Sequence, residues 1–454
     1  MSNSASREVL ITGALLYTGG RGDIRIAGNR IVEIGTNLQA AGDAERIDAS
    51  GCVAFPGLVN THHHLFQSLL KGVPAGIDKA LGAWLVEVPY QAWPHVTPEN
   101  MYSAAKVGLS ELLRSGCTTC ADHHYLYHAD TSPEIEQAIL QAAKDLGMRL
   151  VLCRGGGTRE GNQQGGAAAS LAPEGIDLRI QRMQQLVSDC HDPAADAMVK
   201  IAVAPTSVIH ASTPTELRLL GEFAREYGLR RHSHLLEVPF DQEMAMAKYG
   251  MAAIDYMEDV GWLGEDVWFA HLVHVDDAGL EKLRATRTGI AHCPTSNARL
   301  GSGVARAPAM DAAKMPVSLG VDGSASAESG SMVSEMLLAW MIHRAVGGPD
   351  VTSVEQIADW ATRGGAHILG YHELGELAPG KLADIVLYDI EAPRFAGLWE
   401  PRWAPVICGE PITARHVMIN GEWRVRDGAI LGLDEGALFR DAQLHTANLV
   451  NACR

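Results

Sequence analysis

The sequence has no apolar run long enough to cross a bilayer, so a membrane-embedded chain is not expected. It is also short of positive charge. Its 37 Lys and Arg stand against 54 Asp and Glu, a formal net charge of −17. An acidic surface repels phosphate backbones, so nucleic acid is not an expected partner. The opening Met1-Ser2-Asn3-Ser4-Ala5-Ser6-Arg7 lacks the apolar core of a secretory leader. Eight Cys spread over 454 residues make no disulfide framework and suit a reducing compartment, so the expected location is cytoplasmic. There is no internal repeat and no low-complexity tract beyond the Gly-rich stretch 155–166, read as a lid or a long surface loop. What is present is ample apolar material, 47% of residues, enough for a packed core in one large domain or two.

The first segment alternates like β-strands around a Gly28-Asn29 turn. From about residue 53, apolar runs alternate with longer helical segments. The runs are 54–60, 118–122, 149–153, 200–204, 230–234, 267–271, 288–292 and 317–322. Eight such runs predict an α/β fold, a (β/α)₈ TIM-like barrel. After about Gly370 the strand pattern returns in 380–387 and 417–423, and the tail from about Gly436 reads as helix. The expected organisation is a small β-sandwich domain built from both chain ends, 1–54 and 376–454, flanking a barrel over 55–375.

Most of the eight runs end in polar residues, and barrel chemistry sits at strand C-termini. The run from Pro56 leads into Thr61-His62-His63-His64. Side chains alternate along a strand, so His62 and His64 reach one metal together while His63 points away. His234 ends the fifth run and Asp322 the eighth. Imidazole nitrogen and carboxylate oxygen suit Zn²⁺ first, with Fe²⁺ as the alternative. The fourth run ends Ala204-Pro205-Thr206 without the Lys that would bridge two metals, which favours one ion per chain. Glu237, three residues after His234, is the candidate proton-transfer carboxyl, against a role as a helix cap. His271 ends the sixth run as a polarising group or a plain rim histidine. His232 shares a face with His234 and is expected only behind it. His274 reads as structural, and His210 and His343 carry no supporting pattern. Cys117-x-x-Cys120 has no second Cys pair or suitable His partner and reads as two small buried residues.

The motifs 56–64 (PGLVNTHHH), 234–237 (HLLE), 270–271 (AH), 292–297 (HCPTSN), 320–324 (GVDGS) and 380–386 (GKLADIV) resemble the amidohydrolase superfamily over nearly the whole chain. They are most similar to its cytosine-deaminase/chlorohydrolase branch. The resemblance implies metal ligands His62, His64, His234 and Asp322, with Glu237, His271 and Asp322 handling protons. It also implies a homo-oligomer. Within the branch, 61–69 and 121–127 resemble the deaminases of 8-oxoguanine and isoxanthopterin. Arg154-Gly155-Gly156-Gly157-Thr158 leans to the isoxanthopterin group, while 249–267 and 300–303 lean to the other.

The expected reaction is hydrolytic deamination of an amino-substituted bicyclic heterocycle. Glu237 protonates the ring nitrogen, and Asp322, helped by His271, takes the proton of the attacking water. Gln67, Arg154, Trp93, His124 and Tyr125 are the candidate substrate contacts: Gln67 and Arg154 for ring polar groups, Trp93 for stacking. Two rival readings stand beside this one. One is release of chloride or alkylamine from a triazine. The other is a non-catalytic scaffold on the same fold.

Overall fold

The computed structural model describes residues 8–158, 167–410 and 412–453. The leader reading of residues 1–7, and the 159–166 part of the Gly-rich stretch, lie outside the described residues.

The chain opens with β1 (Glu8–Leu16), β2 (Arg21–Ala27), β3 (Arg30–Gly35), β4 (Glu45–Asp48) and β5 (Cys52–Pro56). Next come β6 (Leu58–His64), β7 (Cys117–His124), β8 (Arg149–Arg154), β9 (Val199–Val203), β10 (Arg230–Leu235), β11 (Val267–His271), β12 (Gly289–His292), β13 (Val317–Leu319) and β14 (Asp322–Gly323). The chain returns to strands with β15 (Ile385–Asp389), β16 (Ala414–Ile419), β17 (Glu422–Arg426) and β18 (Ala429–Ile430). A helix, Glu435–Ala452, follows them.

Both chain ends build one mixed sheet, in the order β18-β17-β16-β15-β5-β1-β2-β3 with β4 also on β1. The ends meet where β5 and β15 pair antiparallel. The expected β-sandwich is thus realised as a single continuous sheet rather than two separately hydrogen-bonded ones. The pairing of β1 with β2 slips between Ile11 and Ala14. Either side of that slip, residues 9–12 of β1 pair with β4 and residues 15–16 with β5.

The second sheet is parallel, in the order β13-β12-β11-β10-β9-β8-β7-β6-β14. Helices lie between its strands, among them Pro98–Arg114, Glu134–Leu146, Ile176–Cys190 and Pro214–Glu226. Their starts are written locally. Thr97 and Thr213 each accept from the backbone N–H three residues on, with Pro at the next position. The eighth run is broken at Gly320. Its first part pairs with β12 and its second with β6, so one short stretch joins the two edges of the sheet. This is the order expected of a TIM-like barrel. Only glycine fits at the break, because a Cβ on Gly320 would lie 2.8 Å from His62 Cβ.

Strand parity divides the core. Leu150, Leu152, Ile201, Val203 and Phe269 pack outward with helix residues such as Leu109, Ile139 and Leu220. Val59, Ala121, Val151, Cys153, Ala202, Trp268 and Ala291 form the interior cluster. Among the described residues, no helix is long and apolar enough to cross a membrane.

Candidate active site

β6 changes register against β7 between Asn60, opposite Cys120, and His63, opposite Asp122. Three steps on one strand against two on the other make a β-bulge, which switches parity. Val59 therefore faces the interior, and so do His62 and His64 after it. His63 turns the other way, its Nδ1 accepting from the His64 N–H at 2.7 Å.

His62, His64, His232 and His234 each have Nδ1 already committed. His64 Nδ1 donates to the His123 carbonyl at 2.7 Å, and His234 Nδ1 to the Thr206 carbonyl at 2.6 Å. His232 Nδ1 donates to the Trp268 carbonyl at 3.0 Å, which leaves its Nε2 to accept from His62 Nδ1 at 2.8 Å. A carbonyl accepts only, so with each of these Nδ1 atoms donating, the neutral rings of His62, His64 and His234 turn a bare Nε2 lone pair to one another while that of His232 is used by His62. His62 Nε2 is buried without a partner. His64 Nε2 and His234 Nε2 face each other at 3.1 Å. Asp322 Oδ1 lies 3.4 Å from His62 Nε2 and 3.2 Å from His64 Nε2. Desolvation pushes the pKa of His62 and His234 well below the ordinary range. At His64 desolvation also lowers the pKa, but the hydrogen bond and charge of Asp322 outweigh it and raise it. Burial works to raise the Asp322 pKa, yet His62 and His64 hold it well below the carboxylate range. Converging lone pairs beside a carboxylate are the donor set of a divalent metal. His62, His64, His123 and His234 cluster within ligand reach, as do His62, His271 and Asp322. The Nε2 of His123 is spent on the Ala204 carbonyl at 2.9 Å, and its ring stacks on His234 at 4.7 Å.

The proton-handling candidates adjoin this cluster. Glu237 Oε2 is 3.4 Å from His271 Nε2, and Ser302 Oγ donates to Glu237 Oε1 at 3.3 Å. Burial pushes Glu237 up to about 7, opposed by His271 and aided by Asp322. His271 Nδ1 donates to Asn297 Oδ1 at 2.9 Å. Ser296 Oγ donates to Asp322 Oδ2 at 2.6 Å. One short helix, Pro294–Arg299, thus orients two of these groups. Its motif was visible in the sequence, but the partners of Ser296 and Asn297 were not. His271 (φ 77°), Asp322 (φ 60°) and Leu236 (φ 54°) sit in the left-handed region, where a non-glycine residue costs roughly 1–3 kcal/mol.

A cavity of about 340 Å³ opens on the cluster. Gln67, Tyr125, Glu237, His271 and Asp322 line it. Gln67 Nε2 donates to Tyr125 Oη at 3.3 Å, while Gln67 Oε1 is buried with no partner. Gly323 leaves the room for that amide, since a Cβ there would lie 1.7 Å from Gln67 Oε1.

Three expected contacts lie elsewhere. Arg154 follows the inward-facing Cys153, so it points outward and is 0% exposed. Its guanidinium is held by Glu174 and Glu136 and lies 3.7 Å from the Tyr127 ring centroid. His124, opposite Arg154 in the β7–β8 register, also points outward, against Tyr127. Trp93 sits behind the wall, 6.0 Å from the Tyr125 ring. Sequence reasoning missed Trp84, Tyr90, His210, Phe240 and Leu300, which line the cavity. His210 Nε2 bonds Asp241 Oδ1 at 2.9 Å and its ring stacks on Phe240 at 5.4 Å. His274 is structural, donating to the Ser302 carbonyl at 2.9 Å. Cys117 and Cys120 are buried free thiols.

The Amidohydrolase family profile matches residues 53–424. The chain belongs to the amidohydrolase family. This amidohydrolase is 39% identical to an isoxanthopterin deaminase from an unknown prokaryotic organism, over 95% of this chain and 94% of that one. It is 39% identical to 8-oxoguanine deaminase of Pseudomonas aeruginosa, with 92% of each chain covered. Its structure resembles atrazine chlorohydrolase from Arthrobacter aurescens, solved with zinc, at TM-score 0.90 and 28% identity, over 96% of this chain and 100% of that one. The chain is an enzyme, a hydrolase acting on C–N bonds, which retires the scaffold reading.

Proposed function

We propose that this amidohydrolase is a hydrolytic deaminase of an amino-substituted bicyclic heterocycle of the isoxanthopterin or 8-oxoguanine type. His62, His64, His234 and Asp322 would hold one divalent metal, Zn²⁺ first. The observation that carries the reading is the cavity itself: His64, His234 and Asp322 share it with a buried Glu237, and His62 Nε2 lies behind them, 3.4 Å from Asp322 Oδ1. When bound, such a metal supplies a water acidic enough to lose its proton near neutral pH.

The chain's own groups perform the rest. Asp322 and His271 hold the proton removed from the attacking water and return it to the amino nitrogen as the C–N bond breaks and ammonia leaves. Glu237, kept partly protonated by burial, delivers a proton to the ring nitrogen beside the carbon that carries the amino group. Gln67 Oε1, lacking a partner, accepts from a ring N–H. Trp84, Tyr125 and Phe240 enclose the planar ring and exclude water. Arg154 takes no part. We also propose the division into 1–54 with 376–454 and 55–375, the barrel segment carrying every site residue.

The likeness to atrazine chlorohydrolase favours a second reading, release of chloride or alkylamine from a triazine. An ultraviolet assay over isoxanthopterin, 8-oxoguanine, guanine, pterin, cytosine and a chlorotriazine, with ammonia and chloride measured, separates the two. Ammonia release fastest from an oxidised bicycle is the expected result. Chloride release or cytosine turnover dominating would overturn the substrate class.

A further inference from the structure

Away from the metal cluster, near the starts of β9 and β10, lies a second cavity of about 210 Å³. Its lining includes Lys200, Arg230, His191 and His372, and no carboxylate. We propose that this cavity is a binding site for a small oxyanion, of the phosphate or carboxylate class, held by Lys200, Arg230, His191 and His372.

Four basic side chains without a carboxylate among them are unexpected on a chain of net charge −17. Their internal bonds leave donors over. Lys200 Nζ spends one hydrogen on the Gly370 carbonyl at 2.9 Å and lies 3.8 Å from the Tyr371 ring centroid. An ammonium has three hydrogens to give. His191 Nδ1 accepts from the Ile201 N–H at 3.0 Å, which puts the ring hydrogen on Nε2. Arg230 Nη1 donates to a backbone carbonyl, that of Glu265, at 2.9 Å. Among the described residues, none of the four forms an ion pair with a carboxylate. The acids whose charges reach the cluster are Asp192, Glu265 and Asp266, none of which lines the cavity. Arg149, also nearby, is already paired with Asp384 at 3.1 Å.

The electrostatics agree with the geometry. Burial, then the charges of Arg230 and Arg149, push Lys200 down to about 8. Burial, then Lys200, lowers His191. Mutual repulsion of this kind is relieved by an anion, and charge-assisted hydrogen bonds to it are the strong class.

The test uses the metal-loaded full chain and inorganic phosphate. Thermal unfolding and isothermal titration are compared with sodium chloride at matched ionic strength. Saturable stabilisation by phosphate alone is expected. Lys200→Met, which keeps the packing on Tyr371, and His372→Gln, at an exposed position, should each weaken phosphate binding about tenfold. His372→Gln should leave turnover in phosphate-free buffer unchanged, which separates this site from the deaminase reading. Equal stabilisation by phosphate and chloride would overturn the proposal. So would unaltered phosphate affinity in both variants, or sedimentation showing that a second copy covers this face.

Discussion

The Nε2 atoms of His64 and His234 face each other across 3.1 Å, each on a ring whose Nδ1 already donates to a backbone carbonyl. Two lone pairs at that distance repel unless a cation or a proton lies between them. The protein therefore holds these rings by their far sides in a geometry that only an electrophile relieves.

Metal removal should thus cost stability as well as activity. Chelation is expected to lower the Tm, with Zn²⁺ restoring it. At free metal 1,000 times its Kd the linkage is about 4 kcal/mol. His234→Gln should bind far less than one metal per chain by elemental analysis. An unchanged Tm in fully metal-free protein would remove the cation from this site.

Glu237→Gln keeps the volume and the Ser302 contact but cannot donate a carboxyl proton. Metal content should stay near that of the parent while kcat falls by about 10²–10⁴-fold. Near-parental kcat would take Glu237 out of the chemistry.

Arg154→Met tests the outward orientation of Arg154 at the end of β8. The substitution takes the Arg154 guanidinium from buried Glu136 and leaves Glu174 with Arg182 alone at 2.9 Å, a loss of about 3 kcal/mol in denaturant unfolding. KM should not move in protein that remains folded. A raised KM with parental stability would return Arg154 to substrate binding.

His343 bonds His292 through their Nε2 atoms at 3.0 Å, and burial pushes its pKa from the ordinary 6.5 to about 4. The unfolded chain therefore takes up this proton first as the pH falls. The stability it contributes is whole above about pH 6.5 and is lost as the pH drops towards 4. His343→Gln keeps a donor for His292 and removes the titration, so Tm should fall less steeply across that interval. An unaltered slope of Tm against pH would exclude this histidine from the acid sensitivity.

What the sequence by itself determined is the inventory and order of the site. A His-x-His segment, His234 with Glu237, His271 and Asp322 each close an apolar run, and runs separated by helices put their C-termini at one pole. The mixed sheet was legible as two β-rich chain ends.

The tertiary structure alone decided which way buried strand residues point. Strands covered on both faces are apolar throughout, so no alternation of polarity marks inside from outside. The sequence therefore reads Arg154 and His124 as substrate contacts although both face the helices. The bulge at Thr61–His62, which turns His62 and His64 to the same side as Val59, leaves no mark in composition either. Nor does any periodicity connect Trp84, His210 and Phe240, which come from separate segments and meet only because the fold brings those segments to the cavity mouth.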